Sequence, residues 1–223
     1  MHSTAKSQYS ELESDRNPYL QRGRDCAKLT IPSLLPDEGA NSSTQFRTPH
    51  QSVGSRGVTN LASALGLSLL PPNQPFFRFV LEEQALQEVA LVPNAKAELD
   101  ASLASIERSI MQEIEVNGFR VALAEALKLL VVTGNALLHI PKTGTMRVFR
   151  LDRYVVERDP MGHLKKVIIK EDVGLHTLPE DVRVFAEPYA QDHGKKSCEL
   201  YTCAHWDGDK VTIHQEIYDQ IIP

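Results

Sequence analysis

The chain has 223 residues, 42% hydrophobic and 24% charged, which is enough to bury a core of one or two domains and excludes wholesale disorder. A formal charge of -5 and a pI near 5.9 provide no general basic field, so tight neutralisation of nucleic-acid phosphates is not expected from bulk charge. Three cysteines, Cys26, Cys198 and Cys203, are too few and too unevenly placed for a disulfide framework and fit a reducing compartment.

The start, Met1 to Lys28, is polar and charged without an apolar signal core, which reads as a protein without an export signal. From Ser7 to Leu29 the pattern favours helix, with Tyr9, Leu12, Tyr19 and Cys26 as sparse apolar points. Asn17-Pro18 either starts a second helix or kinks one long one. Arg16, Arg22, Arg24 and Lys28 alternate with Glu11, Glu13, Asp15 and Asp25, the composition of a mixed, solvated face or of a partner-binding one. Thr30 to Thr48 carries Pro32 and Pro36 around a polar run and reads as a loop.

Thr48-Pro49-His50-Gln51 has the elements of a capping box with proline in the first turn, so a helix is expected from about Pro49 to Leu69, stopped by Pro71-Pro72. Phe76 to Leu81 alternates as a short strand. Leu99, Leu103, Ile106, Ile110 and Ile114, spaced 4, 3, 4, 4, mark an amphipathic helix. Asn117-Gly118 offers a left-handed stop, and the pattern resumes through Val121, Leu123, Ala124, Leu127, Leu130 and Val131 up to Gly134-Asn135. Two helices joined so tightly predict an antiparallel hairpin.

Beyond residue 135 the chain turns β-rich. Hairpins are expected from Ala136–Ile140 with Met146–Leu151, from Tyr154–Arg158 with Leu164–Lys170 across Asp159-Pro160-Met161-Gly162, and from Glu199–His205 with Lys210–Tyr218. A short helix fits Pro179 to Phe185. The fold class is therefore α+β, a helical N-terminal half followed by β-hairpins, in three segments: 1–48, 49–134 and 135–223.

Chemistry-bearing motifs are scarce. No G-x-x-x-x-G-K-[ST] occurs, and Lys142-Thr143 lacks a glycine-rich loop, so no P-loop nucleotide site is expected. Cys198, Cys203 and His205, with His193 nearby, form the only cluster of metal-capable side chains, but C-x4-C-x-H is not a zinc spacing. On a strand 203 and 205 would share a face and 198 would point away. Ser102, Ser105 and Ser109 sit on a helix without a histidine or a nucleophile elbow. The acidic pairs Glu82-Glu83, Glu171-Asp172 and Glu180-Asp181 suit general acid and base work and equally suit helix starts and turns. No catalytic, cofactor-binding or metal residue is assigned, and no partner-binding residue can be named. The competing reading is a small cytosolic α+β enzyme or interaction module using the acidic pairs or the Cys198/Cys203/His205 cluster.

Four stretches carry a resemblance: Cys26 to Pro36, Gly54 to Ser63, Arg120 to Pro141, and Phe149-Arg150-Leu151-Asp152-Arg153-Tyr154-Val155-Val156-Glu157-Arg158-Asp159. In this order they are similar to the N-terminal part of portal, or head-to-tail connector, proteins of short-tailed, podovirus-type double-stranded DNA phages. The resemblance implies a structural subunit and not an enzyme, in a homo-oligomeric ring of twelve at the capsid vertex of the virion, made in the bacterial host cytoplasm. It implies no cofactor, docking of the terminase large subunit and of tail adaptor proteins, contact with capsid, scaffold or internal core proteins, and double-stranded DNA passing non-specifically through the channel. The two later segments would belong to the portal wing, with stem, clip and crown outside this chain, so that the portal fold here is incomplete.

Overall fold

The computed structural model describes residues 4–41, 43–47, 49–72, 74–81, 95–142, 144–192, 196–208 and 210–222. Five helices are described, α1 (Ala5–Leu29), α2 (Val53–Leu69), α3 (Ala95–Val116), α4 (Phe119–Thr133) and α5 (Glu180–Asp192). Seven strands accompany them: β1 (Leu137–His139), β2 (Arg147–Phe149), β3 (Tyr154–Arg158), β4 (Leu164–Gly174), β5 (Ser197–Asp207), β6 (Lys210–Ile217) and β7 (Gln220–Ile222). The α+β expectation holds. The chain forms two compact units, one of residues 1–26, 35–44 and 149–223 and one of residues 27–34 and 45–148.

The first unit is built on an antiparallel meander in the order β3-β4-β5-β6-β7. Two of the expected hairpins, β3–β4 and β5–β6, are merged by a long β4–β5 pairing that runs from Lys166↔His205 to Gly174↔Ser197. Across it Val155, Ile168, Cys203 and His214 fall in one row, so they share a face. Against that face lies α1, which is one uninterrupted helix with Pro18 inside it. Its buried positions Ala5, Tyr9, Arg16, Leu20, Gly23 and Ala27 recur at intervals of about 3.6 residues, the stripe of a helix seated along a surface. Ala5 and Tyr9 pack with Val155, Ile168, Tyr201 and Cys203 into one core cluster.

On the opposite face α5 closes a second cluster, Leu178, Ala186, Cys198, Ile217 and Ile222. This helix runs well beyond the Phe185 end expected from sequence. At the β3–β4 turn, Gly162 takes φ +89 and its N–H donates to the Asp159 carbonyl at 2.9 Å, while the Asp159 carboxylate accepts the His163 N–H at 2.8 Å. The expected proline-glycine turn is in place.

In the second unit α2 starts at Val53, four residues after the expected Pro49. Ser52 occupies the cap position without a side-chain bond, and the Gln51 side-chain oxygen accepts the Val53 N–H at 3.1 Å instead. Thr48, on which the capping box rested, lies outside the described residues. Gly118 (φ +65) and Gly134 (φ +73) take the left-handed conformation at the two ends of α4, as glycine allows without strain. The partner of α4 differs from expectation: it packs chiefly on α2, with the smaller contact to α3. Its buried side is Ala126, Leu127, Leu129 and Val132, while Val121 and Leu130 are exposed.

Phe76 to Leu81 is no strand among the described residues. The Phe79 N–H is taken by the Glu107 carboxylate of α3 at 2.7 Å. Phe76, Phe77 and Phe79 pack edge to face on one another at 5.0 and 5.5 Å. The apolar alternation is thus spent on a ladder of rings and not on a ladder of backbone bonds.

Candidate interaction surfaces

The densest polar cluster lies where α1 meets the sheet. Arg16 is 9% exposed, and its Nη1 donates to the Tyr9 hydroxyl at 2.9 Å and to the carbonyls of Asp152 at 3.2 Å and Tyr154 at 3.3 Å. Its Nη2 bonds Glu13 at 2.8 Å. From the sequence, Arg16 is expected with Arg22, Arg24 and Lys28 on a mixed, solvated face or a partner-binding one. The structure buries it, because a guanidinium fork can satisfy several carbonyls at once where the strand β3 begins. One turn above, the buried Glu216 of β6 accepts the Ala5 N–H at 2.7 Å, capping the positive end of α1 from 211 residues away, and its other oxygen lies 3.2 Å from His214.

Beside this cluster Lys170 and Glu199 pair at 2.8 Å, with the Tyr201 hydroxyl donating to Glu199 at 3.0 Å. Desolvation opposes both charges. The bond and the attraction between them outweigh it, so the Glu199 carboxyl sits below its ordinary 4.5 and the Lys170 ammonium above its ordinary 10.5. Burial pushes the Tyr154 hydroxyl up to about 12, and burial with Glu199 beside it raises Tyr201 as well. The pair contributes stability that is present above the unfolded carboxylate value and disappears as pH falls through the depressed one. On the alkaline side the contribution is present below the unfolded ammonium value and is lost as pH rises through the elevated one. Lys170→Met should therefore flatten the melting temperature against pH on both flanks, and flanks identical to those of the parent would refute the coupling.

The Cys198/Cys203/His205 cluster does not converge. Cys203 lies in the core under α1 and Cys198 in the core under α5, on opposite faces of one strand. Burial raises both thiols, the reverse of what a nucleophile or metal ligand requires. His193 lies outside the described residues, as do Glu82-Glu83. Among the described residues no group of three metal-capable side chains forms.

The remaining acidic pairs are committed to structure or split apart. Glu171 and Asp172 are consecutive on β4, and Asp172 is bridged by Arg153 at 2.9 Å. Glu180 and Asp181 occupy the first turn of α5, where negative charge is favoured. The hydroxyls of Ser102 and Ser109 donate back to the carbonyls of Glu98 and Ser105 within α3.

What remains is surface. Along α3 the described side chains include only one buried residue, Glu107, and a groove of about 410 Å³ lined by Pro75, Ala104, Glu107, Arg108 and Met111 runs beside it. No helix among the described residues is long and apolar enough to cross a membrane. Among the described residues the arrangement provides faces for packing and docking, and none of the candidate side chains is brought together as nucleophile, base and oxyanion donors.

Comparison with known proteins gives those faces a context. A family model described as bacteriophage head to tail connecting protein matches residues 2–217. The portal protein of Escherichia phage T7 is 40% identical over 211 residues, covering 92% of this chain and 39% of that protein. That of Enterobacteria phage T3 is 42% identical over 226 residues, covering 96% of this chain and 41% of its own length. The portal protein of Enterobacteria phage SP6 is 34% identical and matches 90% of the chain. The chain thus spans about two fifths of the length of these curated relatives, with residues from both compact units inside the match. The chain belongs to the bacteriophage head-to-tail connecting protein family.

Proposed function

We propose that this chain is the wing-side body of a phage portal subunit, a structural part of the ring through which the genome enters and leaves the capsid. The observation that carries the reading is the match of nine tenths or more of the chain to portal proteins of several phages. The reading takes residues 1–48 as an N-terminal arm and loop, and 49–134 and 135–223 as wing segments, with stem, clip and crown in the remainder of the portal chain. It places the protein at a capsid vertex of the virion after synthesis in the host cytoplasm. Its partners would be further copies in a ring of twelve, the terminase large subunit, tail adaptors, and capsid, scaffold or internal core proteins. Double-stranded DNA would pass without sequence-specific contact.

Electrostatics supports the passive role. A protein that neutralises many phosphates holds DNA tightly and releases it only at raised salt, whereas this chain carries a formal charge of -5. ATP hydrolysis would be left to the terminase. The opposed placement of Cys198 and Cys203 argues against the rival reading of a small enzyme built on that cluster.

Native mass measurement and negative-stain imaging of the product of the whole reading frame test the proposal. Rings are expected, with no zinc bound and none lost on Cys203→Ala or His205→Ala. A protein that stays monomeric at high concentration under native conditions would sink it.

A further inference from the structure

Asn117-Gly118 is the single asparagine-glycine step in the sequence. It fills the turn between α3, which ends at Val116, and α4, which starts at Phe119. An asparagine followed by glycine is the most labile pair for deamidation, because glycine has no side chain to keep its amide nitrogen away from the neighbouring side-chain carbonyl. Gly118 is unhindered in just this sense: its φ is +65, and nothing stands within 4 Å of where a Cβ would be.

The asparagine side chain, however, is held back. Its Nδ2 donates to the Glu113 carboxylate at 2.7 Å and to the Glu113 carbonyl at 3.0 Å, which ties the amide to the last turn of α3. The Gly118 nitrogen, the nucleophile of the reaction, donates its N–H to the Glu115 carbonyl at 3.2 Å. Both reacting groups are thus committed to α3.

We infer that Asn117 is a deamidation site kept latent by Glu113. When the clamp opens, the Gly118 nitrogen gives up its proton to solvent base and bonds to the Asn117 Cγ, while Nδ2 takes up a proton and leaves as ammonia. The five-membered imide then adds water and opens to aspartate or, through its other carbonyl, to isoaspartate. Water is the only co-reactant. The product cannot remake the clamp, because a carboxylate at 117 has no N–H to donate and stands four residues from Glu113, a spacing at which like charges repel. Glu115, the next acid, is bonded by Arg120 at 2.6 Å, and Arg120 is also tied to the carbonyls of Leu70 and Pro71. That cation is already in use. Isoaspartate would in addition lengthen the backbone by one methylene in the turn that joins the two helices. The inference does not depend on the portal reading.

The test incubates the full-length protein at neutral pH and physiological temperature and follows aspartate and isoaspartate at residue 117 by peptide mass mapping. Asn60, exposed on α2 and followed by Leu61, is the internal reference. Conversion at Asn117 should be about tenfold or more slower in the folded parent than in the same protein unfolded in guanidinium chloride, because reaction needs opening. Glu113→Ala should recover most of that difference. Glu113 is exposed and alanine favours helix, so the substitution leaves α3 in place, which far-ultraviolet circular dichroism checks. Asn117→Asp, the product of the reaction, should lower the melting temperature by about 2 °C or more.

Equal slow conversion in the parent and in Glu113→Ala overturns the inference, since the turn then protects Asn117 without the clamp. A folded parent that converts as fast as the unfolded chain also overturns it, because nothing is held latent. Conversion at Asn117 no faster than at Asn60 in the unfolded protein removes the site itself.

Discussion

Arg16→Met should cost about 3 kcal/mol of stability, one of the two largest losses expected from any single polar or glycine substitution in the chain. Methionine retains most of the stem's volume and removes the guanidinium. The Tyr9 hydroxyl and the Tyr154 carbonyl then lose the guanidinium donor, and the Asp152 carbonyl is left with the Tyr9 hydroxyl at 3.3 Å alone, in a place that water does not reach freely. Each such acceptor left bare costs about 1 kcal/mol or more. Arg16→Lys should lose less but not nothing, because one ammonium cannot span three acceptors arranged for a planar fork. Arg22 serves as the control: it is exposed, lies over the Tyr19 ring at 4.9 Å, and its removal should change stability by less than about 0.5 kcal/mol. Denaturant unfolding followed through Trp206, the single tryptophan, reads the unit concerned. A loss below about 1 kcal/mol for Arg16→Met would mean that apolar packing alone seats α1.

The position of Arg16 also shows where sequence reasoning stops. Apolar periodicity located α2, α3 and α4, and alternation most of the strands, because the spacing of a helix and the alternation of a strand are written residue by residue. Charge, by contrast, is read as exposure unless a partner is known, and the partners of Arg16 are carbonyls more than 130 residues away. The same holds for Glu216 at the N-terminus of α1, whose role depends on a contact across almost the whole chain. Phe76 to Leu81 failed for a related reason. Its alternation is real, but a strand exists only if another backbone lies alongside, and here the side chain of Glu107 takes the Phe79 N–H. The cysteine cluster was legible, because strand alternation alone separates residues 198 and 203 to opposite faces.

Interaction surfaces were the least legible of all. The stripe on α3 has the pattern of a private core, and nothing in its spacing distinguishes a stripe covered by α4 from one left open. The packing of α4 on α2 shows only that α4 is not the chief cover of that stripe.

Gly54→Ala should destabilise the protein by about 2–3 kcal/mol, against the ordinary preference for alanine in a helix. Gly54 is the second residue of α2, and a Cβ there would stand 2.6 Å from the Leu29 carbonyl oxygen and 3.1 Å from the Thr30 Cγ2. A backbone oxygen cannot rotate out of the way, so the end of α1 or the start of α2 must shift and lose contacts. Three residues on, Gly57 has open space at its Cβ position. Gly57→Ala should gain about 0.5–1 kcal/mol, since it restricts the unfolded chain and favours helix without a clash. Thermal melts followed by far-ultraviolet circular dichroism should therefore move in opposite directions for two identical substitutions in one helix turn. If both variants gain stability, the close approach of α1 and α2 at Leu29 is looser than the structure places it. If both lose it, the start of α2 depends on glycine for a reason other than that contact.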